Sequence, residues 1–206
     1  MNINVLLTGD IQVGKTTVCR GVVELARRWG YKPKGLLTPP ILDEDGAKVA
    51  SCLPYKCTKN LSVRQGRQLA KVGIELVDID SGERRLLARA NHDLGGPQVG
   101  RYSFDAKALA WGQSILDKAI RVGCDLLVVD EVGYLELERK EGFNAVLEAL
   151  RAGALPRIII VVRSSLVESL RQLLPRVDFV TFTVTEENRD ALPLKIAERI
   201  FDDRGG

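Results

Sequence analysis

The chain has one histidine, four scattered cysteines and no apolar run longer than a β-strand, and each scarcity removes a class of protein. Cys19, Cys52, Cys57 and Cys124 have neither the density of a disulfide scaffold nor a paired CxxC spacing. Cys52 and Cys57 supply at most half of a zinc site, because His92 is far from them in sequence. Without a long apolar run there is no membrane span or signal peptide, so a soluble, cytoplasmic protein with no membrane partner is expected. A strong excess of one charge is also missing. Thirty Lys and Arg against 27 Asp and Glu leave a net charge of +3. That suits an anionic ligand but is too small to argue for nucleic acid. What is present is ordinary: 206 residues, 45% hydrophobic and 28% charged, enough for one domain with a core that needs no staples.

One stretch stands out from this background. Gly9-Asp10-Ile11-Gln12-Val13-Gly14-Lys15-Thr16 fits the phosphate-binding pattern G-x-x-x-x-G-K-S/T at every fixed position. A strand-like run, Ile3 to Leu7, precedes it, and a helical pattern of Val18, Val22, Leu25, Ala26 and Trp29 follows until Gly30. Gly9 allows the turn off the strand, and Gly14 lets the backbone approach an anion. The loop amides and the helix N-terminus would then face phosphates. Lys15 would reach the β- and γ-phosphates, the Thr16 hydroxyl would bind Mg²⁺, and Thr17 could donate to an α-phosphate. Cys19, one turn on, reads as core packing.

A second run completes half a site. Asp125-Leu126-Leu127-Val128-Val129-Asp130-Glu131 predicts a buried parallel strand ending in two carboxylates. Asp130 is placed to help hold Mg²⁺, and Glu131 to orient or deprotonate an attacking water. Asp130-Glu131-Val132-Gly133 also spells D-x-x-G, a pattern of regulatory GTPases. Their guanine-reading N-K-x-D is missing, since Glu187-Asn188-Arg189-Asp190 has arginine where lysine is needed. Arg157 to Val162 forms another apolar strand. At its end Arg163 could contact a γ-phosphate, or be a polar residue after a strand. Val177 to Val184 supplies a fifth parallel strand. Asn188 and Arg189 follow it, either to reach the base or ribose or simply to start the last helix, which should begin near Asp190 because Pro193 belongs in a first turn.

Between the two halves the helix–strand alternation fails. Gly35 to Thr38 is a short strand stopped by Pro39-Pro40; Asp43 to Gly46 is a turn, and Ala47 to Leu53 an extended arm. Gly73 to Asp80 alternates with period two, turns at Ser81-Gly82 and returns through Leu86 to Ala88, a hairpin signature. Val99 to Phe104 is one more short strand. Residues 39–104 thus read as a mostly β insertion beside the nucleotide sheet. Lys56, Lys59, Arg64, Arg67 and Lys71, near Tyr55, are a solvated segment or a contact to an anionic substrate. Asp105 should cap the next helix, whose Trp111 belongs to an apolar stripe.

Taken together, these segments resemble the nucleoside-triphosphatase family first known from thermophiles, whose animal members are called cancer-related nucleoside-triphosphatases. The resemblance rests on Gly9 to Thr17, Gly35 to Thr38, Lys71 to Ile74, Val99 to Tyr102, Asp130 to Leu137 and Glu187 to Asp190. The D-E-x-G-x-x-E-L run is its most specific piece. It implies a RecA-like P-loop fold, Glu131 as catalytic glutamate, and Mg²⁺-dependent hydrolysis of ATP, GTP and other nucleoside triphosphates. The chain departs from the family after Thr38. Members commonly carry Glu-Val-Arg there, whereas Pro39-Pro40-Ile41 stands here. Roughly thirty residues (41–70) then intervene, a long connection by ordinary loop statistics.

The expectation is therefore an α/β P-loop domain over residues 1–206, with a mostly parallel five-stranded sheet, flanking helices and a β-rich hairpin insertion at 39–104. Lys15, Glu131 and Arg163 are its candidate catalytic residues, with Arg101 an alternative to Arg163. Gly9, Asp10, Ile11, Gln12, Val13, Gly14, Lys15, Thr16, Thr17, Asn188 and Arg189 are candidate nucleotide contacts. Mg²⁺ would sit on Thr16 directly and on Asp130 through water. A monomer is expected. Two further readings stay open: a kinase whose acceptor, small molecule or nucleic acid, binds the insertion, and a nucleotide-driven binding or assembly module.

Overall fold

The computed structural model describes residues 2–43 and 70–201. Cys52, Cys57, the arm expected at 47–53 and the basic positions from Lys56 to Arg67 lie outside the described residues.

The chain opens with strand β1 (Ile3–Gly9) and helix α1 (Lys15–Arg28). Val18, Cys19, Val22, Val23 and Ala26 form one buried helical face, and Arg27 and Arg28 occupy the last turn, where the helix dipole favours cations. Strands β2 (Pro33–Leu37) and β3 (Pro40–Asp43) follow. After the intervening segment come β4 (Ala70–Asp78), β5 (Arg84–Ala90), β6 (Gly95–Val99) and β7 (Tyr102–Asp105). Helix α2 (Ala106–Val122) begins where Asp105 accepts a 2.7 Å hydrogen bond from the amide of Ala108, so Asp105 is the N-cap expected. The second half runs through β8 (Leu126–Val132), α3 (Tyr134–Leu137), α4 (Ala145–Arg151), β9 (Arg157–Val162), α5 (Val167–Leu173), β10 (Val180–Val184) and α6 (Leu192–Phe201). Pro193 does sit in the first turn of α6, where its missing N–H costs nothing. Among the described residues no helix is long and apolar enough to cross a membrane.

Among the described residues ten strands form one mixed sheet, ordered β10-β1-β9-β8-β2-β4-β5-β7-β6, with β3 also paired to β4. From β10 to β2 all four neighbouring pairs are parallel. From β4 onward all are antiparallel. This corrects the mostly parallel five-stranded sheet: strands of the 39–104 stretch extend that sheet and do not lie beside it. The β4–β5 hairpin has the turn the sequence indicated, but β4 pairs with β2 at Leu36–Asp78 and Leu37–Val77 and so extends the same sheet. The physical reason is an edge. Without β4, the backbone groups of β2 on that side would have no ladder.

The central strands bury both faces, and their side chains alternate between two cores. Leu6, Leu127, Val129, Ile158 and Ile160 point into the layer covered by α2, α4 and α5. Val5, Leu7, Val128, Ile159 and Val161 point into the layer covered by α1 and α6. That explains why β8 and β9 are uninterrupted apolar runs. Backbone approach is closest at Gly35 of β2, which has φ +117°; a Cβ there would stand 2.0 Å from the carbonyl oxygen of Val128. Gly35→Ala should therefore destabilise the fold by about 3 kcal/mol or more, read as a lowered urea midpoint.

Candidate functional site

The phosphate loop connects the C-terminal end of β1 to the N-terminus of α1, and its conformation is already that of an anion cradle. Gly14 is the N-cap with φ 113°, and Gln12 also has positive φ, at 63°. The Gly14 conformation strains any side chain, and a Cβ there would stand 3.2 Å from Cδ of Arg189. Lys15 is only 7% exposed. Its ammonium folds back onto the loop, donating to the carbonyls of Gly9 at 2.7 Å and Asp10 at 2.6 Å. Burial lowers its pKa, opposed by the charges of Glu131 and Asp130.

Those carboxylates come from β8, two strands away across β9. The β8–β9 register slips between Val129 and Val132, so Asp130 and Glu131 stand out of the ladder at its end. The peptide between them is cis. Asp130 is 2% exposed, and one of its oxygens accepts from the Thr38 amide at 3.1 Å. Burial pushes its pKa up to about 6. The Thr38 and Thr16 hydrogen bonds work against that rise, whereas the Glu131 charge adds to it. Glu131 Oε1 accepts from Arg163 Nε at 2.5 Å, and both side chains remain partly exposed. Arg163 lies just past the end of β9, so adjacent parallel strands deliver the two members of the pair.

Lys71 of β4 joins this group. Burial lowers its pKa, and Glu131, Arg163, Asp130 and Lys15 all act on its charge. Three cations and two carboxylates thus share one partly desolvated rim, an excess that favours an anion. The sequence had left Lys71 open between a solvated segment and a contact to an anionic substrate. Its special place follows from β4 joining the sheet beside β2.

Glu136 was legible only as a motif letter. It is 4% exposed, and its two oxygens accept from the amides of Gly133 at 2.8 Å and Phe143 at 3.0 Å. It ties the loop leaving Glu131 to the chain approaching α4. The signal was its spacing, a glutamate three residues after a glycine that opens a short helix.

The remaining candidates divide. Gly9 to Thr17 form the loop and the first helical turn. Arg189 reaches that loop beside Gly14. The Asn188 amide is used within its own turn, accepting from the Thr185 amide at 2.9 Å and donating to the Thr183 carbonyl at 2.9 Å. Arg101 is tied to β4 and β7, donating to the Lys71 carbonyl at 2.9 Å and the Tyr102 hydroxyl at 3.2 Å. Arg163, and not Arg101, stands beside Glu131. No cluster of three or more His, Cys, Asp or Glu suited to a metal occurs among the described residues.

A phosphate loop at the end of β1, with a carboxylate pair at the end of β8, defines a P-loop protein. A family model described as NTPase matches residues 4–52 and 56–197. The chain belongs to that family. It is 34% identical over 205 residues to the nucleoside-triphosphatase THEP1 of Methanopyrus kandleri, covering 97% of this chain and 96% of the relative. It is 31% identical to the protein of that name from Thermofilum pendens, over 96% of this chain and 94% of the relative. The crystal structure of THEP1 from Aquifex aeolicus superimposes with a TM-score of 0.65 at 20% identity, over 97% of this chain and 99% of the other, and shows the same fold. The solution structure of a human cancer-related nucleoside triphosphatase superimposes with a TM-score of 0.62 at 25% identity, over 98% of this chain and 99% of the other.

Glu136→Ala leaves the part-buried Gly133 amide and the buried Phe143 amide without this acceptor and should destabilise the protein by about 3 kcal/mol. Glu136→Gln retains one carbonyl acceptor and should lose about half as much. Urea titrations of both variants check the pair.

Proposed function

We propose that this protein is a Mg²⁺-dependent nucleoside triphosphatase that converts ATP, GTP and related nucleoside triphosphates to the diphosphate and phosphate. The observation that carries the reading is the Glu131 carboxylate, held by Arg163 at the rim that also receives Lys15. Family membership supports it, because the relatives matched over nearly their whole length are named nucleoside-triphosphatases. The strand order supports a RecA-like core: β9 separates the loop strand β1 from the carboxylate strand β8.

The donor set fits Mg²⁺. Asp130 is buried with one oxygen occupied by Thr38, and the Thr16 hydroxyl bonds to the same carboxylate. Both are hard oxygen donors of the kind this ion prefers. Thr16 would hold it directly and Asp130 through water; when bound, it neutralises charge on the β- and γ-phosphate oxygens.

The protein's own groups do the following. Phosphates bind to the loop amides, and Lys15 exchanges the Gly9 and Asp10 carbonyls for phosphate oxygens. Arg163 turns from Glu131 to the transferring phosphoryl group. Glu131, released from its partner, orients a water in line with the leaving oxygen and takes its proton. Charge spread over the phosphoryl oxygens is met by Lys15 and Arg163 in a rim already short of water. Arg189 contacts the nucleoside side of the site, next to the loop; Asn188 keeps the turn that presents it.

Phosphate release by purified protein tests this. Glu131→Gln should lower kcat about 10²–10⁴-fold while nucleotide affinity changes little. Undiminished turnover would remove Glu131 from the mechanism. Nucleotide at about 100-fold its Kd should stabilise the wild type by about 2.7 kcal/mol, and Lys15→Ala should abolish most of that gain. Chelation of Mg²⁺ should stop phosphate release and restore on its return.

A further inference from the structure

A cleft open to solvent lies against Glu131 and Arg163, and hydrolysis alone gives it no purpose. Its walls are apolar: Ile74 and Leu87 from the β4–β5 hairpin, Phe104 from β7, Leu109 from α2, and Phe143 before α4. Lys71 also lines it. Glu136 lines it too, but both of its oxygens are committed to backbone amides. Its makeup, apolar walls with a few polar groups, is that of small-molecule sites.

The position of the cleft follows from the chemistry proposed above, on which this inference rests. In an in-line displacement the group that orients the nucleophile lies opposite the leaving nucleoside diphosphate. Glu131 is that group, so a cleft sharing Glu131 opens on the attacking side of the γ-phosphate. The nucleoside extends the other way, toward Arg189 and β10, which flanks β1 on the edge remote from β4. Water needs no apolar wall. An organic nucleophile does.

We propose that the cleft is the binding site of a second substrate, a small and largely apolar alcohol, and that the protein transfers the γ-phosphoryl group to it. The hydroxyl oxygen attacks phosphorus, and a new P–O bond forms. The bond from phosphorus to the β-phosphate oxygen breaks, and its electron pair leaves on the nucleoside diphosphate. The hydroxyl proton passes to the Glu131 carboxylate and then to solvent. The products are a phosphomonoester and a nucleoside diphosphate, with no oxidant or reductant involved. Ile74, Leu87 and Phe104 come from strands β4, β5 and β7, so the antiparallel extension of the sheet builds much of the acceptor site. Release of phosphate is then the reaction of the same centre with water when the cleft holds no alcohol.

The test supplies Mg²⁺ and ATP to the full-length protein with benzyl alcohol, phenethyl alcohol or pyridylmethanol, and follows both products by phosphorus NMR. A phosphomonoester formed at the expense of free phosphate is expected from at least one alcohol. Leu109→Trp, which fills the cleft, should shift the ratio of phosphomonoester to phosphate by about tenfold or more toward phosphate. Leu109→Ala, which enlarges the cleft, keeps the test decisive should the larger residue prevent folding; it should change which alcohol is preferred. Free phosphate as the sole product with all three alcohols would overturn the acceptor site and leave the hydrolase standing. No consumption of ATP at all would overturn both. A Leu109→Trp change that raises KM for ATP with the product ratio unaltered would put the nucleobase in the cleft and overturn the proposal.

Discussion

Asp130 and Glu131 end a strand whose preceding four residues are wholly buried, and their charge has to be balanced inside that low-dielectric rim. The chain meets this constraint with cations from three other elements. Lys15 comes from the start of α1, Arg163 from the end of β9, and Lys71 from β4. Each is itself partly desolvated or drawn to a carboxylate, so none is a free surface charge. Opposite charges within a few ångströms offset a desolvation penalty that neither sign would bear alone. The positive excess is what a triphosphate tail would satisfy.

The fold follows from delivering those groups to one place. Parallel strands β1, β8 and β9 put their C-terminal ends side by side, and both of their faces must be covered, hence two helical layers and two cores. The antiparallel strands from β4 to β6 continue the sheet past β2, which completes the backbone pairing of β2 and brings Lys71 and the apolar cleft to the rim. Glu136 fixes the path of the chain leaving Glu131. The Glu131 carboxylate is therefore positioned from behind by a strand, from the side by Arg163, and from ahead by a buried glutamate.

Much of this was legible in the residues. Gly9 to Thr16 carry their geometry in their spacing, because an anion loop demands glycine at its turns and lysine at a fixed offset. Leu126 to Glu131 and Arg157 to Arg163 announce buried strands with polar ends. The strand count was not legible. Whether a hairpin such as 70–90 stands apart or joins an existing edge depends on what β2 leaves unpaired, and local periodicity is the same in both cases. Lys71 could be read as a solvated cation or as a contact to an anion for the same reason. Asn188 offered a polar side chain at a strand end, and pattern alone does not distinguish a ligand contact from an amide that closes its own turn.

On the proposed mechanism Arg163 and Glu131 part when the phosphoryl group arrives, one to the phosphate and one to the nucleophile. A crystal structure of the protein with Mg²⁺, ADP and aluminium fluoride tests it most directly. The Arg163 guanidinium should contact the fluoride ligands and the Glu131 carboxylate should hold the in-line water, with the 2.5 Å pair between them broken. An intact Arg163–Glu131 pair, with the water held by some other group, would contradict it.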